Sequence, residues 1–185
     1  MASQERITKA YQTARRISYN DESKFIVFSD VHRGDNSFAD DFANNRNIYH
    51  HALNHYFKNG FTYCELGDGD ELWENLDFKS IFYTHTNIYF LLKKFYDENR
   101  LYRLIGNHDM VYQKQKYVEK HLYTYFDKVT GKDQPLFPGI TFTEGLILEH
   151  ETSKQEIFML HGHQADWWNY RAWKFNRFMV RALWR

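Results

Sequence analysis

Four short apolar runs, each broken off by side chains that bind metals, constrain this chain more than any other feature. Phe25 to Phe28 leads into Asp30 and His32, Phe61 to Leu66 into Asp68, Leu101 to Ile105 into Asn107 and His108, and Ile157 to Leu160 into His161 and His163. Runs this short, bounded by turn residues and rich in branched and aromatic side chains, predict buried strands. Sites in open α/β sheets form at the carboxyl ends of strands, so the four clusters are expected to converge at one sheet edge. The donors are oxygen and nitrogen without thiolate, a set suited to Mn, Fe, Zn or Mg. In Asp30-Val31-His32 the two donors leave an extended segment on the same face and can reach one ion. The carboxylate of Asp68 can bridge two ions, and ions about 3.5–4 Å apart clamp the attacking and leaving oxygens of a phosphoryl displacement.

Taken singly, the motifs carry little. Asp-x-His and Gly-Asp are common in solvated loops, Gly106-Asn107-His108-Asp109 is built of natural turn residues, and His161-Gly162-His163 alone reads as a pair of loop histidines. Their order, each behind an apolar run, carries the functional reading. Cys64, the only cysteine, lies inside a predicted strand and reads as a small buried hydrophobe rather than a nucleophile. A lone cysteine excludes an internal disulfide and fits a reducing, cytoplasmic setting.

Around these clusters the spacing predicts helices over 3–16, 38–58 and 77–98, the second ended by Asn59-Gly60. Three successive strand–loop–helix units predict an α/β fold with parallel strands. Past residue 130, Gly131, Pro135, Pro138 and Gly139 mark a loop. Short strands are then expected over 140–143, 146–149 and 156–160, with breaks at Gly145 and Thr152-Ser153-Lys154. The 185 residues predict a single domain. Lys and Arg total 24 against 24 Asp and Glu, so no net field steers the protein onto nucleic acid. A mean hydropathy of -0.72 and the lack of a long apolar run argue against a membrane span, and Met1 to Ser18 lacks the apolar stretch of a signal peptide.

The ordered set Asp30-Val31-His32, Gly67-Asp68, Gly106-Asn107-His108-Asp109 and His161 resembles the calcineurin-like metallophosphoesterases, over residues from about 25 to about 170. Gly67-Asp68-Gly69-Asp70-Glu71-Leu72-Trp73 and His161-Gly162-His163 look closest to bacterial branches near the UDP-2,3-diacylglucosamine pyrophosphohydrolases. The resemblance implies an α/β/β/α sandwich and two divalent metal ions, with Mn first and Fe, Zn or Mg as alternatives. Asp30 and His32 would bind the first ion, Asp68 would bridge, and Asn107 and His161 would bind the second. A metal-activated hydroxide would attack phosphorus. His108 would face the leaving or a phosphate oxygen, with Asp109 orienting it and holding its charged form. Arg33 and His163 are substrate-binding candidates. The family's closing Gly-His-x-His motif is missing, since no histidine follows His163. The resemblance therefore implies a sandwich incomplete at its C-terminal side. The expected activity is hydrolysis of a phosphomonoester, phosphodiester or pyrophosphate in a small molecule, lipid or nucleotide. One alternative is a pyrophosphohydrolase of lipid-linked nucleotide sugars at the membrane surface, and another is a non-catalytic scaffold of the same fold that binds a partner. A homo-oligomer is compatible with either.

Residues 167–185 hold five cations and no acid, with Arg171, Lys174, Arg177, Arg181 and Arg185 three, three, four and four apart. That spacing places the cations on one stripe of a helix, with Trp168, Trp173, Phe175, Phe178, Met179, Leu183 and Trp184 covering much of the rest. Three readings stay open: packing on another part of the protein or a partner chain, peripheral contact with an anionic membrane, and a surface for single-stranded nucleic acid. The sequence carries no strong signal for the last.

Overall fold

The computed structural model describes residues 2–38 and 40–183, apart from the side chains of Trp167, Trp168 and Leu183. Strands β2 (Phe25–Phe28), β3 (Thr62–Glu65) and β4 (Leu101–Arg103) pair in parallel in the order β2-β3-β4. The crossovers are α2 (Arg46–Lys58), then α3 (Phe78–Thr84) with α4 (Thr86–Asp97). The three units expected from the sequence therefore form one parallel sheet.

The first crossover helix begins later than the sequence predicts. The Asp40 carboxylate accepts the backbone N–H groups of Gly34, Asn36 and Phe42, which turns the chain before α2 can start. Asp77 caps α3 by accepting from the Ser80 amide. The single helix expected over 77–98 is two. His85 leaves helical geometry (φ -115°, ψ 35°), and its buried Nε2 lies 3.1 Å from Asp40 Oδ2. A contact 45 residues away in sequence thus sets a helix break that local propensity does not encode.

The second sheet is β1-β7-β8, with β1 (Arg15–Tyr19) parallel to β7 (Gly145–His150) and β7 antiparallel to β8 (Glu156–Leu160). Helix α1 (Ser3–Gln12) is shorter than the predicted 3–16, because Arg15 and Arg16 enter β1. The strand expected over 140–143 is absent apart from a bridge between Thr143 and Leu104, and Gly145 opens β7 instead of interrupting it. Past α5 (Gln115–Leu122), the chain forms a hairpin of β5 (Thr124–Asp127) and β6 (Lys132–Pro135). Its turn is tied by Asp127, which accepts from the Val129 amide and the Thr130 hydroxyl.

Leu53, Ile88, Leu92, Phe95, Val118 and Leu122 are fully buried on the helix side of the parallel sheet. A smaller core draws on both sheets, with Cys64, Leu104, Leu146 and Leu148 buried against Ile17, Phe25 and Met159. Burial pushes the Cys64 thiol up to about 12, in keeping with a packing role.

At the C-terminus the predicted single helix is broken at Ala172 into α6 (Trp167–Arg171) and α7 (Trp173–Leu183). Trp184 and Arg185 of the expected helix lie outside the described residues. The stripe also divides, because Arg171 and Lys174 are exposed while Arg177 and Arg181 are half-buried. Among the described residues no helix is long and apolar enough to cross a membrane.

Candidate metal centre

The site forms where the segments after β2 and β3 run on side by side. Past the strands, the amides of Asp30, His32 and Arg33 donate to the carbonyls of Gly67, Asp68 and Gly69 at 3.2, 2.9 and 3.0 Å. The Glu71 amide returns a bond to the Arg33 carbonyl at 3.0 Å. This pairing brings Asp30, His32 and Asp68 together. His161 arrives by register. Leu160, the last residue of β8, pairs with Gly145, the first of β7, and the chain just before Gly145 is bridged to Leu104 after β4. His161 is thereby delivered beside Asn107. The four sequence clusters do meet at one edge.

Close approach is enforced by two glycines. A Cβ on Gly67, whose φ is +97°, would stand 2.7 Å from the Gly106 Cα and 2.9 Å from His161 Cγ. A Cβ on Gly106 would stand 2.0 Å from Asp68 Oδ1. Three non-glycine residues also hold left-handed backbone geometry, Asp30 at φ 55°, His32 at 51° and Asp68 at 51°. Such conformations cost on the order of 1–3 kcal/mol each and gather at binding and catalytic sites.

The donor atoms face a common space. His32 Nε2 lies 3.8 Å from Asp68 Oδ2 and 4.0 Å from Asp30 Oδ1. His161 Nε2 lies 3.2 Å from the same Asp68 Oδ2 and 3.1 Å from Asn107 Oδ1. Two trios of donors lie within 4.8 Å of one another, His32-Asp68-His108 and Asp30-Asp68-His161, and Asp68 belongs to both. Ligands on one ion at metal–donor bonds of about 2.0–2.2 Å stand roughly 3–4 Å apart, so these separations suit a cation. The other Asp68 oxygen accepts the His108 amide at 2.8 Å, which fixes the carboxylate.

Charge balance points the same way. Burial, followed by the charge of Asp68, pushes the Asp109 carboxyl up to about 7. Burial, followed by the charges of Glu71 and Asp41, raises Glu74. Burial opposes charge on His32, but its hydrogen bond to Glu71 and the nearby carboxylates outweigh that and raise its pKa. His161 behaves likewise through its hydrogen bond to Asp68. His32 and His161 thus sit among carboxylates whose charge bound cations would also offset.

Glu71 had no assigned role in the sequence reading. Its Oε2 lies 2.7 Å from His32 Nδ1 and 2.6 Å from His108 Nδ1, so a single carboxylate orients both rings. These partners hold the Glu71 carboxyl down at about 2, against the opposing effect of burial. Trp73 stacks on the His108 ring at 4.1 Å and donates its indole N–H to the Asn107 carbonyl at 2.7 Å. The only sequence signal for Glu71 was its position three residues past Asp68.

Three expectations need correction. Asp109 does not orient His108. Its carboxylate accepts the amides of Gly69 and Gly106 at 3.0 and 2.7 Å, and so ties the two glycine loops together. Arg33 cannot reach a phosphate from its observed position, because it is fully buried. It donates to Glu65 and Asp70, and Arg103 completes a buried square with the same two carboxylates. The hydroxyls of Tyr63, Tyr89 and Tyr112 fill the remaining acceptor sites. The substrate role read for His163 has no support in its placement. It is buried, lies behind His161 at 5.4 Å between ring centroids and stacks on Tyr170. Burial, then the charge of His161, lowers its pKa to about 4.

The buried square yields a stability prediction. Removing one member of a buried charge group strands its partner and costs about 3–5 kcal/mol. Arg103→Met should therefore lower the unfolding free energy by that amount in urea at pH 7, and a loss below about 1 kcal/mol would dissociate the square from stability. The square also sets the acid limit. Burial opposes charge on Glu65 and Asp70, but Arg103 and Arg33 hold both carboxyls below their usual range. Their contribution is complete above the unfolded carboxylate range near about 4 and is lost as pH falls through the lower folded values. From pH 7 down to about 4, the raised Asp109 adds stability and the lowered His163 removes it, while the raised His32 and His161 add stability as pH falls through their folded values. The urea midpoint of metal-free protein should therefore hold or rise over that window and fall steeply below it.

Compared with known proteins, the chain matches no family model, no curated protein and no solved structure. The structure by itself defines a mixed α/β chain with a cluster of candidate metal donors at the ends of its strands.

Proposed function

We propose that this protein is a metal-dependent hydrolase of phosphoric esters acting through two divalent ions, Mn first among the candidates. One observation carries the reading: Asp68 is common to both donor trios, and its Oδ2 stands 3.8 Å from His32 Nε2 and 3.2 Å from His161 Nε2. A carboxylate shared between two sets of neutral nitrogen and anionic oxygen donors suits a pair of ions. When bound, the ions supply Lewis acidity and a nucleophile at neutral pH. The residues supply the rest. Asp30, His32, Asp68, Asn107 and His161 hold the pair, Glu71 fixes the His32 and His108 rings, and His108 presents its Nε2 to the phosphoester. From there it donates a proton or a hydrogen bond to the departing oxygen. The small core drawn from both sheets supports the sandwich that the resemblance implies.

Specific features favour an amphiphilic substrate within this class. A groove of about 280 Å³ opens beside Asp30, lined by Val31, Phe42, Ile48 and Ala52. In the C-terminal helices, Phe175 and Phe178 are exposed, as are the cations Arg171 and Lys174, a composition suited to an anionic lipid surface. A larger cleft of about 390 Å³ at the start of β2 and β3, around Glu22, Lys24 and Asn59, contains none of the donors.

The test is metal content per chain after reconstitution with Mn²⁺, measured with hydrolysis of an aryl phosphodiester in the same sample. About two ions per chain with turnover is the expected result. Metal-free, inactive protein after reconstitution would overturn the reading and leave the partner-binding scaffold as its replacement.

A further inference from the structure

We infer that Arg181, near the end of α7, is a positioning residue for the metal centre. The inference rests on the reading above for its purpose, although its geometry stands independently. The turn over residues 71–75 carries the two groups that aim the site histidines, Glu71 and Trp73, and it closes on Glu71. Glu71 Oε1 accepts the Trp73 and Glu74 amides at 3.0 and 3.3 Å, and the Asn75 side chain donates to the Glu71 carbonyl at 2.7 Å. The carbonyls of this turn are taken by one guanidinium. Arg181 Nε donates to the Trp73 oxygen at 2.7 Å, and Nη2 donates to the oxygens of Leu72 and Asn75 at 3.2 and 2.7 Å.

The contact joins residues 106 to 109 apart in sequence, so it fastens the C-terminal helix to the loop that organises the centre. Three acceptors served from one planar fork make a geometric requirement as well as an electrostatic one, which an ammonium on a flexible stem cannot reproduce. The chain of contact is short. Arg181 holds the turn, the turn holds Glu71 and Trp73, Glu71 accepts from the Nδ1 atoms of His32 and His108, and Trp73 stacks on His108. Without Arg181 the turn loses its outer support, and the rings lose their fixed aim. Groups that orient metal ligands from behind typically change metal affinity by about 10- to 100-fold when removed.

The test uses Arg181→Gln and Arg181→Lys with two readouts, hydrogen exchange in the metal-free protein and Mn²⁺ affinity from the free-ion signal in electron paramagnetic resonance. Both variants should exchange faster over residues 70–76 while β7 and β8 keep wild-type protection. Both should also bind Mn²⁺ about 10-fold or more weakly. Unchanged exchange over 70–76 with unchanged affinity overturns the inference. Faster exchange throughout the protein also overturns it, since that assigns Arg181 to general stability. Full recovery in Arg181→Lys overturns the geometric requirement. If the wild-type protein binds no Mn²⁺ but 70–76 alone loosens in the variants, the positioning contact holds and the metal reading is what fails.

Discussion

Asp68→Ala is expected to abolish two-metal binding and to reduce phosphodiester turnover by more than about 100-fold, beyond the range for residues that only orient ligands. Asp68 is the only residue common to both donor trios, so its loss removes a ligand from each ion at once. It also removes the acceptor of the His108 amide, which loosens the loop after β4. The measurement is metal stoichiometry by elemental analysis, with hydrogen exchange over β2 to β4 as the control for folding. Two ions retained in Asp68→Ala would refute the bridge. Retention of one ion would locate the surviving site, and a further His32→Ala or His161→Ala change would show which trio holds it.

His108→Ala is expected to reduce turnover by about 10²- to 10⁴-fold, the range for removal of a general acid, while metal content stays near two per chain. The geometry sharpens this test, because His108 also falls in a donor trio with His32 and Asp68. Its Nδ1 is engaged by Glu71 at 2.6 Å, which leaves Nε2 as the working atom. If His108→Ala loses an ion, that atom is a ligand and the proton must come from another group. If metal stays and turnover falls, Nε2 faces the substrate. Because both His32 and His108 lean on Glu71, the two variants together separate the metal-holding branch of this pair from the proton-handling branch.

Much of the candidate site was legible in the sequence. Asp30, His32, Asp68, Asn107 and His161 each follow an apolar run, and strand ends in a parallel sheet share an edge, so their convergence followed from pattern and topology together. Glu71 was not legible as an orienting group, because a carboxylate in a polar turn has no distinguishing spacing. Asp109 was misassigned for a related reason. The resemblance implied contact with His108, whereas the turn after β4 aims its carboxylate at the amides of Gly69 and Gly106. Arg33 read as a substrate-binding candidate because its partners Glu65 and Asp70, and the Arg103 that shares them, come from other places in the chain.

The sequence by itself determined the three parallel strand–loop–helix units, the residue types at the strand ends and the buried, unreactive character of Cys64. These depend on periodicity and on neighbours a few residues apart, which a linear pattern contains. Tertiary structure alone decided the rest. It paired β1 with β7, broke the helices at His85 and Ala172, buried Arg33 in a neutral square, gave Glu71 two histidines to hold and set Arg181 behind the turn that carries it. Each of these depends on contacts between segments far apart in the chain, and a charged or polar side chain acquires its role only when folding decides which partner replaces water around it.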